Sequence, residues 1–140
     1  MSENETFKRG VAHFNAREFF EAHEAWEELW LPADEPEKTF LQGMIQIAAA
    51  FHHYQRRNPR GTKSLLSAGL GRLESCPKEF RSMDMARLRN EAGVWLDALA
   101  ESEGIKPSKL PRIHAARRPW IEAPKKKKRR MRSPAASKNR

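Results

Sequence analysis

Apolar residues recur along most of this chain at spacings of three and four, the period of a helix with one buried face. Phe7, Val11 and Phe14 predict a first helix over 5–16, and Asn15-Ala16-Arg17 interrupts the pattern. A second helix is predicted over 18–30, followed by a loop at Leu31-Pro32-Ala33-Asp34. Asp34 can cap a third and longest helix over 35–57, with Pro36 in its first turn and Glu35 and Glu37 beside it. Asn58-Pro59-Arg60-Gly61 is a turn signal. A fourth helix, over 62–74, carries Leu65, Leu66, Leu70 and Leu73 on one side; Gly69 and Gly71 either weaken it or let a neighbour approach closely. Cys76-Pro77 ends it. Asp84 reads as the N-cap of a fifth helix, whose stripe of Met85, Leu88, Ala92, Trp95, Leu96 and Leu99 runs out near Gly104. No strand-period segment, hairpin signal or internal repeat is present.

The expected fold is therefore all-α, a compact bundle of four to five helices followed by a disordered basic tail. The third helix is expected at its centre, because Phe40, Leu41, Met44, Ile45, Ile47, Ala48, Ala50, Phe51 and Tyr54 make it apolar around most of its circumference. Residues 1–105 form the helical domain, with order extending to about 121 if Ile113 and Trp120 dock on it. Residues 106–140 are a proline-containing, Lys/Arg-rich tail.

Charge sharpens this division. The chain carries a formal +9, but residues 106–140 hold 14 Lys and Arg against one acid, Glu122, so the first 105 residues carry a net −4. The basicity belongs to the tail and not to the domain surface. The run at 125–132 cannot bury itself and is expected to be disordered. It can contact nucleic acid or another polyanion weakly through phosphate charge, serve as an import signal, or act only as a solubilising extension. No aromatic residues interleave it, so base stacking is not indicated. A single cysteine, Cys76, excludes an intrachain disulfide and points to a reducing compartment. The polar N-terminus and the lack of any stretch of about 18 apolar residues point to a cytoplasmic chain without a membrane span. A homo-oligomer is compatible with the pattern.

The second helix carries the candidate chemistry. At 100° per residue with His23 at zero, Phe19, Trp26, Trp30 and Phe20 fall within about 60° on either side. Glu27 falls at about +40°, inside that aromatic arc, whereas Glu24, Glu28 and Glu21 fall at about 100° to 160°. The expectation is an inward-facing His23/Glu27 pair. A buried carboxylate costs several kcal/mol unless it is paired, protonated or bound to a cation. Spacing of four brings the two side chains together, and can deliver a nitrogen and an oxygen to one metal ion. On the third helix, Gln42, Gln46, Ala49 and His53 follow a 4-3-4 spacing. If that stripe faces the second helix, the interior holds a cluster of His23, Glu27, Gln42, Gln46 and His53. His52 lies on a different side and is the weaker candidate. Trp26, Trp30 and Trp95 read as core.

The segment from Phe19-Phe20-Glu21-Ala22-His23-Glu24-Ala25-Trp26-Glu27 to Trp30 resembles the domain of unknown function 309 family, small helical bacterial and archaeal proteins with a H-x-x-x-E-x-x-W motif. Leu41-Gln42-Gly43, the run from Gln46 to His53, and then Asn58 and Gly61 resemble the family's second block. The resemblance covers roughly residues 7–75; Thr62 departs from it where an alanine often follows the glycine, and the tail lies outside it. It implies an all-α fold and a metal-binding role for the motif, and it names no reaction.

Two functions are consistent with these readings. In the first, the domain binds a divalent metal (zinc or iron) or a small ligand, with His23, Glu27 and His53 as metal ligands. Glu27 then serves as ligand or general base, and a bound water as nucleophile. In the second, it is a noncatalytic helical interaction module whose polar cluster is structural and whose tail contacts nucleic acid or an acidic partner.

Overall fold

The computed structural model describes residues 2–101 and 106–116. The basic run at 125–132 and Trp120 lie outside the described residues. Among the described residues five α-helices form, α1 (Glu3–Asn15), α2 (Phe19–Trp30), α3 (Glu37–Gln55), α4 (Pro59–Leu73) and α5 (Met85–Ala100). Consecutive helices pack side by side, so α3 lies between α2 and α4 as its all-round apolar sequence requires. No described helix is long and apolar enough to cross a membrane.

Local chemistry explains most of the boundaries. Ser2 and Glu5 form a reciprocal capping box that starts α1. Asn58 caps α4 by accepting from the Gly61 amide at 3.1 Å, with Pro59 in its first position, so this helix begins three residues earlier than the turn signal suggests. Asp84 accepts from the Arg87 amide at 3.0 Å and starts α5 as expected. Asp34 does not cap α3. The helix begins at Glu37 with no side-chain cap, and the Glu35 carboxylate instead accepts from the amide and hydroxyl of Thr39.

The ends of α1 and α3 are built alike. Arg17 and Arg57 adopt left-handed conformations (φ 67° and 62°), and the following amides, of Glu18 and Asn58, donate back to the carbonyls of His13 and His53. This is the Schellman pattern with arginine where glycine is usual. Lys38 serves the end of α2: its ammonium donates to the carbonyls of Trp30 and Leu31 at 2.9 and 3.1 Å while standing 4.3 Å over the Trp30 ring.

One element contradicts the expectation of no strands. Glu79–Phe80 and Met83–Asp84 form a two-residue antiparallel pair, β1 and β2. Its turn, Arg81-Ser82, has both residues at positive φ, 52° and 63°. That is the geometry of the tight hairpin turn that normally selects Asn and Gly. Tertiary contacts hold it in place of turn chemistry: Arg81 Nε donates to Glu37 Oε2 at 2.9 Å, and its guanidinium lies 4.7 Å from the Phe7 ring centroid.

The core is a run of touching aromatic rings that threads four helices. It passes from Phe7 to Trp26, Phe14 and Phe19 across α1 and α2, then to Phe51 on α3, and ends at Trp95 on α5. Residues 106–116 close this core as an extended strap. Ile113 is 5% exposed, its amide and carbonyl are both bonded by the Asn15 side chain, and Met83 bridges to Ala115.

Candidate functional site

The aromatic arc read from the sequence was centred on the wrong side of α2. The buried residues of this helix are Phe19, Ala22, Ala25 and Trp26. Alanine fixes the inner face, where α2 lies tight against its neighbours, and Phe20 is 48% exposed. Measured from that inner face, His23 sits at the border and Glu27 beyond it. The Glu27 side chain is 49% exposed and that of His23 is 23% exposed. The expected inward-facing pair is thus a pair at the rim of the helix, and no buried carboxylate has to be explained.

At that rim three side chains converge. His23 Nε2 lies 3.6 Å from Glu27 Oε2, and His23 Nδ1 lies 3.8 Å from Glu24 Oε2. One ligand atom from each of His23, Glu24 and Glu27 falls within 4.8 Å of the other two. Nδ1 is buried and has no hydrogen-bond partner among the described residues. The Phe20 ring stacks beside the imidazole at 5.8 Å. Trp30, one turn beyond Glu27, is half-buried rather than core, and its Nε1 is also buried without a partner among the described residues.

The structure does not gather the remaining candidates here. Gln46 faces α4: its Cβ lies 3.2 Å from where a Cβ on Gly69 would stand, and its Oε1 is buried without a partner among the described residues. Gln42, one turn earlier, is half-buried and belongs to neither group. His53 Nδ1 is 3.0 Å from Asn58 Nδ2, at the start of α4. Gln46 and His53 therefore sit against α4, and with the Glu27 side chain 49% exposed the five residues do not make an interior cluster. The reason is the phase of α3. Its tightest contact is with α4 at Gly43 and Gly69, which turns the polar stripe toward that side.

Two residues given less weight in the sequence stand nearer the site. Glu24 completes the converging group. His52 also lies against the Phe20 ring, with centroids 5.4 Å apart. Burial lowers its pKa from the usual range, the positive charges of Arg56, His53 and His23 lower it further, and Glu21 opposes them. The alternation of small and aromatic residues on α2 was the available signal, since Ala22 and Ala25 mark the packed face.

An all-α domain with one acidic, histidine-bearing helix edge is what the geometry defines. Residues 7–65 match the model of the family described as Domain of unknown function (DUF309), the family the sequence resembled. The chain is 31% identical over 88 residues to an uncharacterized protein of Aquifex aeolicus (strain VF5), covering 62% of this chain and 26% of that protein. It is 38% identical over 68 residues to the uncharacterized protein YpuF of Bacillus subtilis (strain 168), covering 46% of this chain and 38% of YpuF. The matched region is thus a minor part of each of these longer relatives.

Proposed function

We propose that the domain is a small metal-binding protein whose ion is held at the α2 rim by His23, Glu24 and Glu27. The observation that carries this reading is the convergence of three ligand atoms within 4.8 Å beside an imidazole nitrogen that is buried and unpartnered among the described residues. One imidazole with two carboxylates suits zinc or iron and leaves further coordination positions open. The half-exposure of both carboxylates makes the ion exchangeable with solvent rather than sealed. Metal analysis of untagged protein, with zinc titration of the stripped form, tests the reading. Stoichiometric metal, lost in His23→Ala and reduced in Glu27→Gln with helicity unchanged, is the expected result. A wild type that takes up neither zinc nor iron at micromolar concentration sinks it.

A second reading is favoured by Phe20 and Leu31, which are 48% and 70% exposed near the two ends of α2. Here the domain is a noncatalytic interaction module, and the 125–132 run contacts nucleic acid or an acidic partner. Truncation after residue 116, which spares the docked strap, then abolishes salt-sensitive binding to an oligonucleotide. Undiminished binding removes that role from the tail.

A further inference from the structure

Helix α5 and the strap 106–116 flank a half-open cavity of about 410 Å³ that shares no residue with the α2 rim. Its walls are of two kinds. Val94 and Trp95 from α5, with Pro107 and Leu110 from the strap, supply apolar surface. Val94 is 50% exposed there, a large apolar side chain left uncovered by the fold. The Trp95 indole N–H donates to the Lys109 carbonyl at 2.9 Å, which pins the strap and keeps the cavity open at a fixed width.

The polar wall has an uneven charge balance. Arg87, Lys109 and Arg112 are three fixed cations, and Glu91 is the single carboxylate among the lining residues. Both oxygens of Glu91 are already engaged. Its Oε2 accepts from Arg87 Nε at 3.1 Å, and its Oε1 accepts from the Arg112 amide at 3.1 Å. The carboxylate thus holds the strap to the helix. Arg87 meets it through Nε, so the two terminal nitrogens of that guanidinium remain for another acceptor. A volume in the lower range of small-molecule pockets fits one ring system or a short acyl chain with one charged group.

We infer that this cavity binds a small amphiphilic anion. An aromatic or acyl body rests on Val94, Trp95 and Leu110, and a carboxylate or phosphate is held by Arg87, with Lys109 and Arg112, whose Nη1 already serves the Asn15 carbonyl at 3.3 Å, adding positive charge. Such a ligand bridges α5 and the strap, so its binding also tightens the C-terminal closure of the core.

The full chain is titrated with naphthalene-1-acetate, 1-naphthyl phosphate and the uncharged naphthalene-1-acetamide, followed by calorimetry and backbone amide shifts. Either anion is expected to bind at least about tenfold tighter than the acetamide, with shifts concentrated in α5 and residues 107–114. The tighter anion identifies carboxylate or phosphate as the headgroup. Arg87→Gln is expected to weaken binding about tenfold, and Val94→Trp, at a half-exposed position, to abolish it with helicity unchanged. No binding of either anion at millimolar concentration overturns the inference. Equal binding of the acetamide, or binding unchanged in Val94→Trp, overturns it as well. Loss of metal in His23→Ala leaves these outcomes untouched, so the two proposals fail separately.

Discussion

The indole of Trp26 lies directly against the α1 backbone at Gly10, where its Nε1 donates to the Phe7 carbonyl at 3.2 Å. A Cβ at Gly10 would overlap Trp26 Nε1 and stand 2.6 Å from its Cδ1. The ring is fully buried among Phe7 and Phe14 and cannot move aside. Gly10→Ala is expected to destabilise the domain by about 1–3 kcal/mol through overpacking. A urea midpoint unchanged from wild type would contradict this contact.

Two glycines of α4 should respond in opposite directions. A Cβ at Gly69 would stand 2.9 Å from Ile47 Cγ1 and 3.0 Å from the Gly43 carbonyl, so Gly69→Ala forces α3 and α4 apart. The expected loss is about 1–3 kcal/mol. Gly71 has nothing within 4 Å of such a Cβ, and Gly71→Ala is expected to gain about 0.5–1 kcal/mol in helix propensity. Thermal or urea unfolding of the two variants side by side checks both signs.

Asn15 ties α1 to the strap through both ends of its amide, which meet the Ile113 amide and carbonyl at 2.8 and 2.9 Å. Asn15→Ala leaves two partly buried backbone groups unpaired, at a cost of about 1–3 kcal/mol. Hydrogen exchange at residues 113–116 should rise more than in α3, because local opening of the strap becomes easier than global unfolding. Uniform acceleration across the domain would argue against a separable strap.

His52 gives stability a pH dependence with a defined sign. Its pKa is lowered in the folded protein, chiefly by burial, so the unfolded chain takes up the proton more readily. Stability is therefore whole above the ordinary histidine value of 6.5 and falls as pH drops from there through the lowered folded pKa. His52→Gln is expected to flatten this part of the profile. Urea midpoints at pH 7.5, 6.0 and 5.0 measure the slope, and a variant as steep as wild type would assign it to other groups.

Helix identity was readable because the apolar spacing survives the loops, and Pro59, Asn58 and Asp84 act through local backbone chemistry. The features that escaped depend on contacts between distant segments. Nothing near Arg81-Ser82 encodes a hairpin turn; Glu37 and the Phe7 ring hold it from elsewhere in the chain. Gly10 matters only because Trp26 arrives from the next helix. The α2 phase was misjudged for a different reason. Large aromatics do not mark its inner face, since Phe20 is 48% exposed while Ala22 and Ala25 are buried. His23 and Glu27 stand together at the α2 rim rather than inside, and the places of Gln46 and His53 on α3 follow its glycine contact with α4.

The Asn15–Ile113 tie has a consequence for the order in which the molecule can mature. The first two helices leave the ribosome early, but the residue that seals their corner is separated from Asn15 by 98 positions. Until residue 113 has been synthesised, that corner stays open in the nascent chain, with the Asn15 amide unpaired to Ile113. The segment matched by the family can gain helices as it emerges, yet the last closure of this domain waits on a stretch that lies wholly outside that match.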